Sequence, residues 1–187
     1  MATSSSLPQA LVQAAALDML QRVTPRRALR GFGNLLQNET RAWWGTRKWL
    51  VHLVIWIAII NGFVGLVAWA EGQDGKSATA IYSEAVLVFF IISGTAAALG
   101  VVSTTQGAIV GEKQLGTATW IMSKPASRSA FVLAKLLAHA GAFLVLAVGL
   151  PALVFCIHSL VAGWGLPPLG PFVGGVALLT LHLLFYL

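Results

Sequence analysis

The sequence predicts an all-α integral membrane protein, in which an interfacial amphipathic helix is followed by about four transmembrane helices. Three observations carry this. Of 187 residues, 57% are hydrophobic and only 10% charged, where soluble domains carry about 25% charged residues. Four long apolar runs lie between short polar stretches. The net charge of +6 is gathered ahead of the first run, in Arg22, Arg26, Arg27, Arg30, Arg41, Arg47 and Lys48. A charge at the bilayer centre costs about 2.5 to 3.5 kcal/mol on insertion scales, so spans can be read from the gaps between charges.

Residues 1–31 are expected to form a mobile cytoplasmic tail rich in Ala, Ser and Gln, with one short helix from Pro8 to Gln21. They do not make a secretory signal, because Met1 to Leu20 has no basic residue and Asp18 interrupts its apolar half. Residues 32–187 are expected to form the membrane domain. It opens with Phe32, Leu35, Leu36 and Trp43 at helical spacing, and Asn34, Gln37, Asn38 and Arg41 on other faces. This pattern predicts an amphipathic helix in the interface, with Gly45 as an elbow. Trp43, Trp44 and Trp49 are expected to anchor it as an aromatic belt at headgroup level.

A spanning helix needs about 20 residues to cross about 30 Å of hydrocarbon. Trp49 to Ala70 is long enough, Ala85 to Val102 is short but extensible through Ile81 and Tyr82, and Leu136 to Leu160 spans with a kink expected at Pro151. The fourth run, Phe172 to Leu187, has 16 residues and reads as a span of a chain that has lost its C-terminal part. Cations in the N-terminal region and in the 103–129 segment, against Glu71, Asp74, Lys76 and Glu84 between the first two spans, place the N-terminus in the cytoplasm by the positive-inside rule. The basic cluster then faces anionic lipid rather than nucleic acid. The acceptor pattern Asn38-Glu-Thr40 is on the wrong side to be glycosylated.

Chemistry-bearing motifs are few. Gly107-Ala-Ile-Val-Gly-Glu-Lys113 lacks the Gly-Lys-Ser/Thr ending of a phosphate-binding loop, so the chain is not expected to be such an ATPase. Cys156 stands alone, and no Cys/His cluster has zinc spacing. His52, His139, His158 and His182 lie in or near spans. They are expected to face helix contacts, although His52 and His139 share a depth at which a haem-binding redox protein is an alternative. Asn61 is expected to make an interhelical hydrogen bond, and the small residues Ser93, Ala96, Ala97 and Gly100 to permit close helix packing.

The segment 103–129 is a polar island between apolar runs. Glu112 and Lys113 end the second run, Gly116-Thr117 permits a turn or helix cap, and Leu115, Trp120, Ile121 and Met122 make a short apolar face. Pro125 ends that piece, and Ser127 is placed to cap a helix entered at Arg128. Such an element at the cytoplasmic surface suits docking of a soluble partner.

Glu112, Gly116, Thr117, Ser123, Pro125, Ser127, Arg128 and Lys135 resemble the Glu-x-x-x-Gly-Thr, Ser-x-Pro-x-Ser-Arg, Lys signature of type-2 ATP-binding-cassette transporter permeases. Leu35-Leu-Gln-Asn-Glu-Thr-Arg41 is similar to the elbow helix those permeases place before their first span. The resemblance covers roughly residues 32 to 160. It implies a multi-pass permease subunit of an exporter in the plasma membrane. Such a subunit pairs with a second permease, identical or not, and docks a separate cytoplasmic ATPase subunit that carries the ATP and Mg. No cofactor is implied in this chain. Docking falls to Glu112, Gly116, Thr117 and Trp120, with Pro125 and Arg128 fixing the re-entry into the third span. The family has six spans; this sequence supplies three and part of a fourth. An accessory membrane subunit with no transport path of its own is a further alternative.

Overall fold

Helices account for nearly all of the described residues, 29–116 and 127–187 of this computed structural model, with the side chains of Ile109, Glu112 and Lys113 left undescribed; no strand occurs among them. The chain is an all-α membrane protein: four of its helical stretches are long and apolar enough to cross a bilayer.

Helix α1 (Phe32–Trp44) is the amphipathic element read from the sequence, entered through Gly31 at φ 83°. Its inward face carries Leu35, Leu36, Glu39 and Trp43, while Asn34, Gln37, Asn38 and Arg41 are exposed. Helix α2 (Lys48–Gln73) follows after a three-residue elbow, and α3 (Ala78–Gln114) returns antiparallel after a short turn in which Gly75 has φ 69°. Lys76 in that turn is ion-paired with Glu71. The hydrogen bond to Glu71 raises the Lys76 pKa above the usual lysine value.

At 37 residues, or about 55 Å at 1.5 Å per residue, α3 is longer than the roughly 30 Å of a bilayer's hydrocarbon core. The sequence reading ends this span at Val102, yet the helix runs on to Gln114 through the first half of the polar island. No proline interrupts residues 103–114, and the helix ends only at the left-handed Gly116. Ser103 Oγ donates to the Leu99 carbonyl at 2.7 Å and Thr105 Oγ1 to the Val101 carbonyl at 2.7 Å, so these polar residues are satisfied by the helix itself.

The third span is one continuous stretch, Arg128–Val161. It comprises α4 (Arg128–Phe143), a π-helical segment over Leu144–Gly149, and α5 (Leu150–Val161). The kink expected at Pro151 takes the form of this π segment, where the Leu150 N–H reaches back to the Val145 carbonyl. A wide turn just before a proline makes room for a ring that would otherwise strike the preceding turn. Pro151 is fully buried. This span is the centre of the bundle, with half of its most apolar stretch buried, against 11% for α6 (Leu169–Tyr186). Helix α6 starts three residues before the predicted Phe172, because Pro171 is tolerated in the first helical turn.

Packing follows the small residues. Ala85, Phe89, Ser93, Ala97 and Val101 form a fully buried stripe four residues apart on α3. Gly100 lies so close to Trp56 of α2 that a Cβ there would stand 2.2 Å from the indole. Phe89, Phe155 and Phe172 join α3, α5 and α6, with centroids 4.8 to 6.0 Å apart. At the end of the bundle near Lys76, Trp164 stacks on His158 at 5.5 Å and meets Tyr82 at 6.1 Å, and Ser159 Oγ donates to the Gly165 carbonyl at 2.6 Å. The interhelical bond expected of Asn61 is not made: its amide is buried without a partner among the described residues, as are Ser93 Oγ and Trp56 Nε1.

Candidate functional site

The described segments that hold Glu112, Gly116, Ser127, Arg128 and Lys135 meet at one end of the bundle. Here α1, the start of α2, the end of α3 and the start of α4 come together, and Arg30, Arg41, Arg47, Lys48, Arg128 and Lys135 lie in or beside these segments, whereas Lys76 is at the opposite end.

Helix α3 ends in this region with Leu115 N–H bonded to the Gly111 carbonyl at 3.0 Å and Gly116 at φ 70°. A left-handed residue just past the last turn is the usual glycine helix stop, so Gly116 occupies a position that a side chain would strain. Glu112 lies in the last turn of α3. On the far side of the segment, Ser127 accepts from the Ala130 N–H at 3.1 Å and caps α4, as its place before Arg128 predicts. Arg128 is the first residue of α4 and is exposed. Thr117, Trp120 and Pro125, together with Ser123, lie outside the described residues, as does the tail over residues 1–28.

Two connections lock α1 to α4. The Ser127 N–H donates to the Arg30 carbonyl at 3.1 Å, joining the entry to α1 with the entry to α4. Lys135 Nζ donates to Glu39 Oε1 at 2.8 Å, with side chains only 10% and 15% exposed. Sequence reading singled out Lys135 but not Glu39. The signal was there: a carboxylate on the apolar stripe of an amphipathic helix calls for a cation facing it.

Trp43, expected at headgroup level, is turned inward. It is 7% exposed, packed on His52 at 5.0 Å, His139 at 5.4 Å and Phe143 at 5.8 Å between centroids. Its neighbour Trp44 is exposed and leans on half-buried Trp49 at 6.4 Å. The difference is one of phase, since adjacent helical residues point about 100° apart and Trp43 falls in register with Leu36 and Glu39. His139 Nδ1 donates to the Lys135 carbonyl at 2.9 Å, which places the proton of the neutral ring on Nδ1. His52 and His139 both pack on the Trp43 ring. Among the described residues no three His, Cys, Asp or Glu side chains gather as a metal site.

A cavity of about 650 Å³ opens at this end, lined by Glu39, Trp43, Lys48, His52, Thr104, Lys135 and His139 among others. Compared with known proteins, the chain matches no protein-family model, no curated protein and no solved structure.

Proposed function

We propose that the chain is the membrane-spanning permease subunit of an ATP-binding-cassette exporter, taking its energy from a separate ATPase subunit at the basic end of the bundle. The observation that carries this reading is the order of Glu112, Gly116, Thr117, Ser123, Pro125, Ser127, Arg128 and Lys135 across the connection between two spanning helices. Three further features support it. The connection joins a helix that overruns its span to a capped helix that begins the central span, an amphipathic helix is fixed against that same capped helix, and the cations gather there.

In this reading the basic end is cytoplasmic and the membrane is the plasma membrane. The ATPase, with its ATP and Mg, docks on the 103–129 connection. A second permease subunit completes the translocation path. Coupling requires that the connection bind the ATPase differently in two global states, because a contact equally good in both would shift nothing. Helix α1, tied to α4 by Glu39 and Lys135, would move with the head of the central span.

The test is co-expression with a candidate ATPase subunit that carries a phosphate-binding loop, followed by reconstitution. Glu112→Gln or Gly116→Val is expected to abolish transport-coupled ATP hydrolysis while membrane insertion is kept. Full coupled hydrolysis in both variants would remove the assignment. The redox alternative rests on His52 and His139 lining one cavity. A Soret band in the purified protein that is lost in His139→Ala would favour it.

A further inference from the structure

The cavity at the basic end continues into a second concavity of different character. The first, about 650 Å³, mixes polar and apolar walls and carries a net positive charge, because Lys48 and Lys135 outnumber Glu39, which Lys135 already engages. It is built in part from residues held in place, since Lys135 is 8% and His139 6% exposed. The second, about 460 Å³, shares His52 and Thr104 with the first and is otherwise almost wholly apolar, running along α2 and α3 past Ile55, Ile59, Phe63, Ala96, Leu99 and Gly100. Ala96 and Gly100 make it concave, and Trp56, laid against Gly100, forms its floor. From His52 to Phe63 the groove follows α2 for eleven residues, about 16 Å of helix, into the apolar part of the span.

A ligand that fits both must have an anionic head and an apolar tail joined at the level of His52. We propose that one anionic phospholipid seats here, its headgroup phosphate beside Lys48 in the first cavity and an acyl chain in the α2/α3 groove. Lysine suits the phosphate as a point charge. The depth order is that of a lipid in its own leaflet: polar contacts beside the interfacial helix, apolar contacts deeper along the span. The site stands on the two cavities alone and does not rest on the exporter reading.

The test uses the full chain in detergent and a fluorescent phosphatidylglycerol read by anisotropy, with phosphatidylcholine and glycerol 3-phosphate as competitors. Saturable binding of one phosphatidylglycerol per chain is expected, with phosphatidylcholine competing far more weakly and glycerol 3-phosphate not displacing it. Lys48→Gln should weaken phosphatidylglycerol binding by about fivefold, the worth of one cation near a lipid surface, and Lys48→Arg should restore it. Ile59→Trp, which fills the groove, should weaken binding while helical content is unchanged. Equal binding of phosphatidylcholine, or unchanged affinity in both Lys48→Gln and Ile59→Trp, would overturn the proposal. Displacement by glycerol 3-phosphate at matched concentration would assign the cavity to a soluble phosphate and overturn the lipid occupant. No ATPase enters the assay, so its failure leaves the exporter reading untouched.

Discussion

A carboxylate on the inner face of an interfacial helix is stable only beside a cation, and Glu39 has Lys135 at 2.8 Å. Because both side chains are mostly buried, the pair is worth little against an apolar replacement of both members, but removing Glu39 takes an anionic partner from the buried Lys135 ammonium. Glu39→Ala is therefore expected to lower stability by about 3 to 5 kcal/mol, and the double change Glu39→Leu with Lys135→Met to recover most of it. Unfolding of the purified protein in detergent reads both. A Glu39→Ala variant as stable as the parent would show that the pair does not hold α1 to α4. That Glu39 needs a cation was legible in the sequence, but which cation was not, since the pair's members are 96 residues apart and only the folded bundle brings the start of α4 under α1. The cap at Ser127, by contrast, was legible, because hydroxyl, helix start and Ala130 N–H are all local.

At the scale of elements, the spans were legible for an energetic reason. Charges are excluded from the bilayer core, so Lys48, the Glu71 to Glu84 loop and Arg128 mark boundaries that the helices respect within a few residues. Where the bilayer does not impose a rule, the reading stopped short: α3 passes Val102 and runs to the glycine stop at Gly116, and a six-residue π segment precedes Pro151. Close packing of α3 was foreseen from small residues, although neither the partner helix nor the residue that fills the gap was. Trp56 fills it, with its indole where a Gly100 side chain would be. Gly100→Ala must displace a ring that is only 4% exposed, and overpacking of this kind costs about 1 to 3 kcal/mol. Gly107→Ala, where a Cβ meets nothing within 4 Å, is the control and should not destabilise. Thermal unfolding of the two variants side by side measures the difference, and equal midpoints would mean that α2 and α3 do not pack through this contact.

For the whole molecule, the decisive quantity is which end faces the cytoplasm, because an ATPase can dock only there. Basic residues gather at the end formed by α1 and the entry to α4, and the turn between α2 and α3 carries Asp74 and Lys76 beside Glu71. Positive charge is retained on the cytoplasmic side during insertion, so the basic end is expected inside. Amine reagents suit Lys76 poorly, because Glu71 favours its protonated form. Cysteine labelling avoids this. In a Cys156→Ala background, Lys76→Cys is expected to react with a membrane-impermeant maleimide in intact cells, whereas Leu115→Cys, at a position 80% exposed just beyond α3, should react only after permeabilisation. The reverse pattern would put Glu112, Gly116 and Arg128 on the outer surface, out of reach of any nucleotide-driven partner. The permease reading would then fail, while the bundle itself, whose packing is indifferent to which side is which, would stand.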